Sequence, residues 1–124
     1  MHLLIDTQVL VWLLSGDRRL RQSWTDQLSD PNTIGYVSAV IAWEYSDLSR
    51  RGRLPVQEDV AQLQALFGLK LLDYPAEGWM MAARLPDIHR DPVDRMLIAH
   101  ALLLDMTLVT ADASIRSYPV KSLW

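Results

Sequence analysis

The segment HRDPVDR, residues 89–95, crowds two carboxylates and two arginines around one proline, and MLIAHALLL follows it with His100 as its only polar residue. Local helix chemistry explains part of this. Asp91 fits an N-cap, Pro92 the favoured first helical position, and Asp94 the third, from which its side chain could return to the cap's backbone N–H. One helix end does not need two carboxylates, so Asp94 stays open between capping and chemistry. Other acids share that ambiguity. Asp6 ends the apolar stretch HLLI and could cap the segment from Thr7, while Asp112 follows MTLVT by two residues and could cap a turn through Ser114. Glu44 has Val40 and Ile41 one turn before it and Leu48 one turn after, which places it in the apolar stripe of a helix. A carboxylate there must be paired, metal-bound or protonated, since burying it alone is costly. Asp47, on the other side with Trp43 and Arg51, reads as solvated.

The elements around these acids decide whether they meet. HLLI reads as a short buried strand, and TQVLVWLLS as a helix that is apolar nearly all round and ended by Gly16. Residues 18–29 form a more polar helix, with Asp30-Pro31-Asn32 as a turn. TIGYV (33–37) is a strand, and Ser38 caps a helix that runs to about Arg51 and stops at Gly52. A helix from Val56 to Phe67, a strand in LKLLDY, a helix around 75–84 and the helix from Pro92 follow. MTLVT (106–110) is a strand, and PVKSLW a final edge strand. Strands that alternate with helices, and do not pair as hairpins, predict an α/β fold with a parallel sheet covered on both faces.

Open parallel sheets bind ligands beyond the carboxyl ends of their strands. If the first strand and MTLVT are neighbours, Asp6, Asp94 and Asp112 converge there. Unit charges some 5 Å apart repel by about 3 kcal/mol at an effective dielectric near 20, so such a cluster needs a counter-charge. With no cysteine and no paired-histidine motif, oxygen ligation suits Mg²⁺ or Mn²⁺. Those ions keep several waters and bind phosphate oxygens, which points to phosphodiester hydrolysis.

Composition sets the outer bounds. The chain has 124 residues, half of them apolar, enough for one domain with a real core. The absence of cysteine excludes disulfides and thiolate metal sites. No apolar run approaches the roughly 20 residues of a membrane span. Met1 runs straight into LLID without room for a signal peptide, which predicts a cytoplasmic protein. The net charge of −3 disfavours a uniform polyanion-binding surface, yet arginines cluster at 18, 19 and 21, at 50, 51 and 53, and at 90 and 95.

Four segments in order, LLIDTQVLVWLL, SAVIAWEYSDLSRRGRL, LPDIHRDPVDRMLIAHAL and TLVTADASIRSYPV, together resemble the PIN-domain family, specifically the VapC-type toxin ribonucleases of toxin–antitoxin pairs. The resemblance covers essentially the whole chain and implies a single PIN-like domain over 1–124, a three-layer sandwich whose short, mostly parallel sheet carries helices on both faces. It maps the family's acidic site to Asp6, Glu44, Asp94 and Asp112 as catalytic and metal-binding residues. It implies an endoribonuclease dependent on Mg²⁺ or Mn²⁺, a homodimer, and silencing by a small VapB-like antitoxin through which operator DNA is bound. Relatives often carry His where this chain has Gln8 and a basic residue where it has Leu48. Gln8, His89, Arg90 and Arg95 are candidate RNA contacts, whereas His100 on its apolar helix reads as structural.

Two other readings compete. A receiver-type phosphoaspartate site needs a second acid near the first and a lysine at a later strand end. Gln8 stands two residues after Asp6, and the only lysines, Lys70 and Lys121, are poorly placed. A PIN fold that keeps its acids but acts only by binding a partner is the second. Trp12, Leu13 and Leu14, with Trp24 from the next segment, give the first helix more apolar surface than one sheet face covers, which predicts a contact with another chain.

Overall fold

The computed structural model describes residues 1–55 and 59–124, with all their side chains except those of Ser23, Trp24 and Leu63. Five strands, β1 (His2–Ile5), β2 (Ile34–Ser38), β3 (Lys70–Leu72), β4 (Thr107–Val109) and β5 (Ser122–Leu123), form one sheet in the order β3-β2-β1-β4-β5. Every pairing is parallel. Leu3, Leu4 and Ile5 are all fully buried, so both faces of the central strand are covered, as a parallel sheet requires. β1 and β4 are neighbours, with Leu4 opposite Leu108 and Ile5 opposite Val109. The condition on which the aspartates converge is therefore met.

The helices are α1 (Thr7–Ser15), α2 (Gln22–Leu28), α3 (Ala39–Arg50), α4 (Val60–Phe67), α5 (Gly78–Arg84), α6 (Pro92–Leu103) and α7 (Ala113–Arg116). The expected helix from Val56 begins at Val60 among the described residues, and Val56–Glu58 lie outside them. Asp59 starts it with a capping box closed by Gln62. The short α7 has too few residues to show a period in the sequence. Ser38 caps α3 by accepting from Val40 N–H at 3.2 Å. At the other end of α3, Gly52 turns in the left-handed region at φ 67°, and Arg53 N–H reaches Leu48 C=O at 2.9 Å.

The chain itself buries most of the apolar surface of the first helix. Val9, Leu10, Val11, Trp12 and Leu13 are all 8% exposed or less within this one chain. The Arg19 guanidinium lies 4.8 Å from the Trp12 ring centroid, and the Trp124 ring covers Trp12 at 5.4 Å. The expected exposure of Trp12 and Leu13 is thus corrected: neighbouring and C-terminal residues cover them, Leu14 stays partly exposed, and the Trp24 part of the expectation lies outside the described side chains. Among the described side chains, the exposed aromatics are elsewhere, at Trp43 and Trp79. No helix among the described residues is long and apolar enough to cross a membrane.

Candidate metal centre

A cleft of about 850 Å³ opens at the carboxyl edge of the sheet, and Asp6, Glu44, Asp94 and Asp112 all line it. Asp6 is the first residue beyond β1, and its N–H still donates to Val109 C=O at 3.2 Å. Asp112 lies three residues beyond β4, Asp94 occupies the third position of α6, and Glu44 projects from the middle of α3. Each comes from a different element, which is why no local motif contains them.

Capping and cleft duties are shared by the same carboxylates. Asp6 Oδ1 accepts from Val9 N–H at 2.8 Å, and Asp112 Oδ1 accepts from Ser114 N–H at 2.8 Å. Asp91 Oδ1 accepts from the N–H groups of Val93 and Asp94 at 2.9 and 3.2 Å, so Asp91 is the cap of α6. Asp94 does not close a capping box. The Asp91 N–H it would have taken donates instead to His89 Nδ1 at 3.1 Å.

That bond fixes the histidine's role. With Nδ1 accepting, the ring proton sits on Nε2. Nε2 then donates to Asp94 Oδ2 at 3.0 Å and to Asp112 Oδ2 at 3.1 Å. His89, proposed from the sequence as an RNA contact, thus bridges two of the acids. Its backbone is held as well: His89 N–H and Ile88 N–H donate to Tyr118 Oη at 2.8 and 3.2 Å. Arg95 completes the clamp, donating to the carbonyls of Pro86, His89, Ala82 and Leu85 at 2.8–3.2 Å. Its guanidinium is committed to this segment and to the C-terminal end of α5, which removes it from the candidate RNA contacts. Arg90 is exposed but lines a separate shallow groove with Trp79 and Met96. Gln8 is exposed on the wall of the acidic cleft.

Electrostatics set the acids apart. Burial, reinforced by the charges of Asp112 and Glu44, pushes Asp6 up to about 6 against the pull of Thr110 and Val9 hydrogen bonds. Burial and the Asp91 charge push Asp94 up to about 7, although His89 works the other way. Burial also acts to raise Asp112, but hydrogen bonds from His89, Ser114 and Ile115 outweigh it and hold this carboxyl below its usual range.

Thr110 was not singled out from the sequence. It is fully buried, bonds the Asp6 side chain and accepts from Asp112 N–H at 3.1 Å, tying the two strand-end aspartates together. The signal was its place in LVTAD, between the strand and the second acid. Tyr118 had no local signal, because its partners lie about 30 residues away in sequence. Asp47, expected to be solvated, instead lines the cleft and pairs with Arg50 at 2.6 Å and Arg51 at 3.0 Å. His100 is structural as expected, buried with Nδ1 3.0 Å from Ser38 Oγ.

The donor set suits a hard divalent cation. Four carboxylates face one cleft, two of them pushed up by burial and by neighbouring negative charge. Facing atoms of His89, Asp94 and Asp112 lie within 4.8 Å of one another, so His89 holds the two carboxylates at a spacing that one ion could bridge.

The PIN domain family model matches residues 3–121. No curated protein matches the chain in sequence. Among solved structures, the chain is similar to VapBC2 from Rickettsia felis bound to a DNA fragment from its promoter, with TM-score 0.71, 17% identity, and 100% and 99% of the two chains covered. It is similar to VapC20 of Mycobacterium tuberculosis, a sarcin-ricin loop cleaving toxin, with TM-score 0.69, 16% identity and 95% of each chain covered. FitAcB from Neisseria gonorrhoeae matches with TM-score 0.66 and 19% identity over 98% and 96% of the chains. At these identities the structures share a fold with this chain. The family-model match spans nearly all of its length, and the chain belongs to the PIN-domain family.

Proposed function

We propose that this chain is a divalent-metal-dependent endoribonuclease, the VapC-type toxin of a toxin–antitoxin pair, acting as a single domain over 1–124 in the cytoplasm. The observation that carries this reading is the convergence of Asp6, Glu44, Asp94 and Asp112 on one cleft. Family membership and the shared fold of VapC20, described as a toxin that cleaves the sarcin-ricin loop, support it.

Asp6, Glu44, Asp94 and Asp112 would hold Mg²⁺ or Mn²⁺. Such an ion supplies activation of water and neutralisation of phosphate charge. The chain's own groups do the rest. In the metal-free chain Asp94, pushed up to about 7, holds a proton near neutral pH that it would release on taking up the ion. Thr110 fixes Asp6 relative to Asp112, and the Arg95–Tyr118 clamp fixes the segment that carries His89. The remaining parts of the proposal concern partners. A VapB-like antitoxin would cover the cleft, operator DNA would be bound through that antitoxin, and the toxin would pair as a homodimer. The VapBC complexes among the structural neighbours, one of them bound to promoter DNA, support the antitoxin and the DNA.

The test is RNA cleavage by the purified chain with Mg²⁺ or Mn²⁺, with and without EDTA, beside Asp6→Asn. Cleavage that needs the ion and Asp6 is the expected result. No cleavage with either ion, while the antitoxin still binds, would overturn the enzyme reading and identify a non-catalytic binding module.

A further inference from the structure

The α3 wall of the cleft begins at Glu44 and ends in arginines. One face of α3 carries Glu44, Leu48 and Arg51, with Trp43 and Asp47 beside them, and Arg53 follows the left-handed turn at Gly52; all six side chains line the cleft. Seven residues of helix rise roughly 10 Å, so the basic end stands about that far from Glu44. Asp47 is shared between Arg50 at 2.6 Å and Arg51 at 3.0 Å, which leaves one positive charge over. Of the other arginines on the wall, Arg19 is held by Asp17 at 2.7 Å, whereas Arg53 has no carboxylate partner among the described residues. Trp43 is 62% exposed at this wall, a cost in hydration that its own domain does not recover.

We propose that this wall is a subsite for single-stranded RNA flanking the cleaved bond, in which Trp43 stacks an unpaired base and Arg53 takes a phosphate further along the same strand. The inference rests on the ribonuclease reading and adds the substrate's form to it. A guanidinium free of carboxylates and an exposed indole face on the same cleft are the combination that binds single strands: every base has a face to stack, and every nucleotide a phosphate to pair. A duplex would present no free base face to Trp43. The wall therefore selects unpaired RNA and tolerates many sequences at that position.

The experiment measures anisotropy of fluorescein-labelled 12-mers of uridine and of adenosine with Mn²⁺, in an Asp94→Asn background that blocks cleavage. Trp43→Ala should weaken binding of both roughly ten-fold, and Trp43→Phe should keep most of it. Arg53→Gln should weaken both and flatten the salt dependence by about 0.7 in the log–log slope, one phosphate's worth for a single strand. Melting temperatures should not move, because both side chains are exposed. Alanine and phenylalanine at 43 behaving alike, with an unchanged slope for Arg53→Gln, would overturn the subsite. So would variants that bind RNA normally but lose the co-expressed antitoxin, since the wall would then belong to the protein partner. Wild-type cleavage indifferent to all three substitutions would overturn the subsite and leave the nuclease reading standing. Wall-dependent binding without cleavage in Mg²⁺ or Mn²⁺ would do the reverse.

Discussion

Asp94→Asn should stabilise the metal-free protein. The carboxyl of Asp94 stands at about 7 in the folded chain against 3.8 as its ordinary value. Between these values the native state holds a proton that the unfolded state has lost, so stability falls as pH rises through that window. The contribution is fully present below about 3.8 and gone above about 7. At 1.36 kcal/mol per unit, the ionised group costs about 4 kcal/mol at pH 8 and about 2 kcal/mol at pH 5. Water in the open cleft screens some of this, and we take about half as the retained effect. Asparagine keeps an oxygen for the His89 Nε2 proton and never ionises. In EDTA at pH 8 the variant should gain about 2 kcal/mol, or about 8 °C in Tm for a chain of this size, and about half that at pH 5. Mn²⁺ should erase the difference, because an ion at 100 times its Kd stabilises the wild type by about 2.7 kcal/mol and the variant far less. The assay is thermal melting at both pH values with EDTA or Mn²⁺. A variant that melts below the wild type at pH 8 in EDTA, or a gain that ignores pH, would refute the reasoning.

Asp6→Asn should remove most of the rise in Tm that Mn²⁺ gives the wild type, read in the same melts. Apparent Mn²⁺ affinity should climb from pH 5.5 to pH 8, since Asp6 and Asp94 must shed their protons to bind; calorimetry in buffers of different ionisation enthalpy should show proton release. Asp91→Ala strips the acceptor from Val93 and Asp94 N–H and should cost about 1 kcal/mol in urea unfolding while leaving RNA cleavage largely intact. Arg95→Met leaves the carbonyls of Ala82, Leu85, Pro86 and His89 without their donor and should cost about 3 kcal/mol, with Arg95→Lys recovering little because one ammonium cannot span the fork.

The parallel sheet was legible because HLLI and MTLVT are too uniformly apolar to be half-solvated strands, and their helices carry capping signals. The three aspartates were legible once the ligand rule for parallel sheets was applied, Glu44 from its place in an apolar helix stripe, and the resemblance joined the four into one site. Two things were not. The apolar girth of α1 suggested another chain, but Trp124, over a hundred residues downstream, folds back onto Trp12. Arg95 and His89 looked alike as candidate RNA contacts, yet one is a backbone clamp and the other bridges the acids. Periodicity reports which face a residue occupies and says nothing about which distant carbonyl its donors will reach.

The difficulty posed by HRDPVDR, whether its acids cap a helix or do chemistry, rests on treating a carboxylate as one group. Each has two oxygens. At Asp112, Oδ1 takes the helix N–H groups while Oδ2 meets His89; at Asp6, Oδ1 takes the Val9 N–H while the side chain also bonds Thr110. Capping pins one oxygen to a rigid helix end and so aims the other at the cleft, at no further cost in side-chain entropy. Asp94 departs from this pattern because Asp91 already caps its helix, which leaves Asp94 buried, repelled by its neighbours and the most strongly raised of the acids. Among the three cleft aspartates, the one that caps no helix is therefore the one whose protonation state the cleft controls most directly.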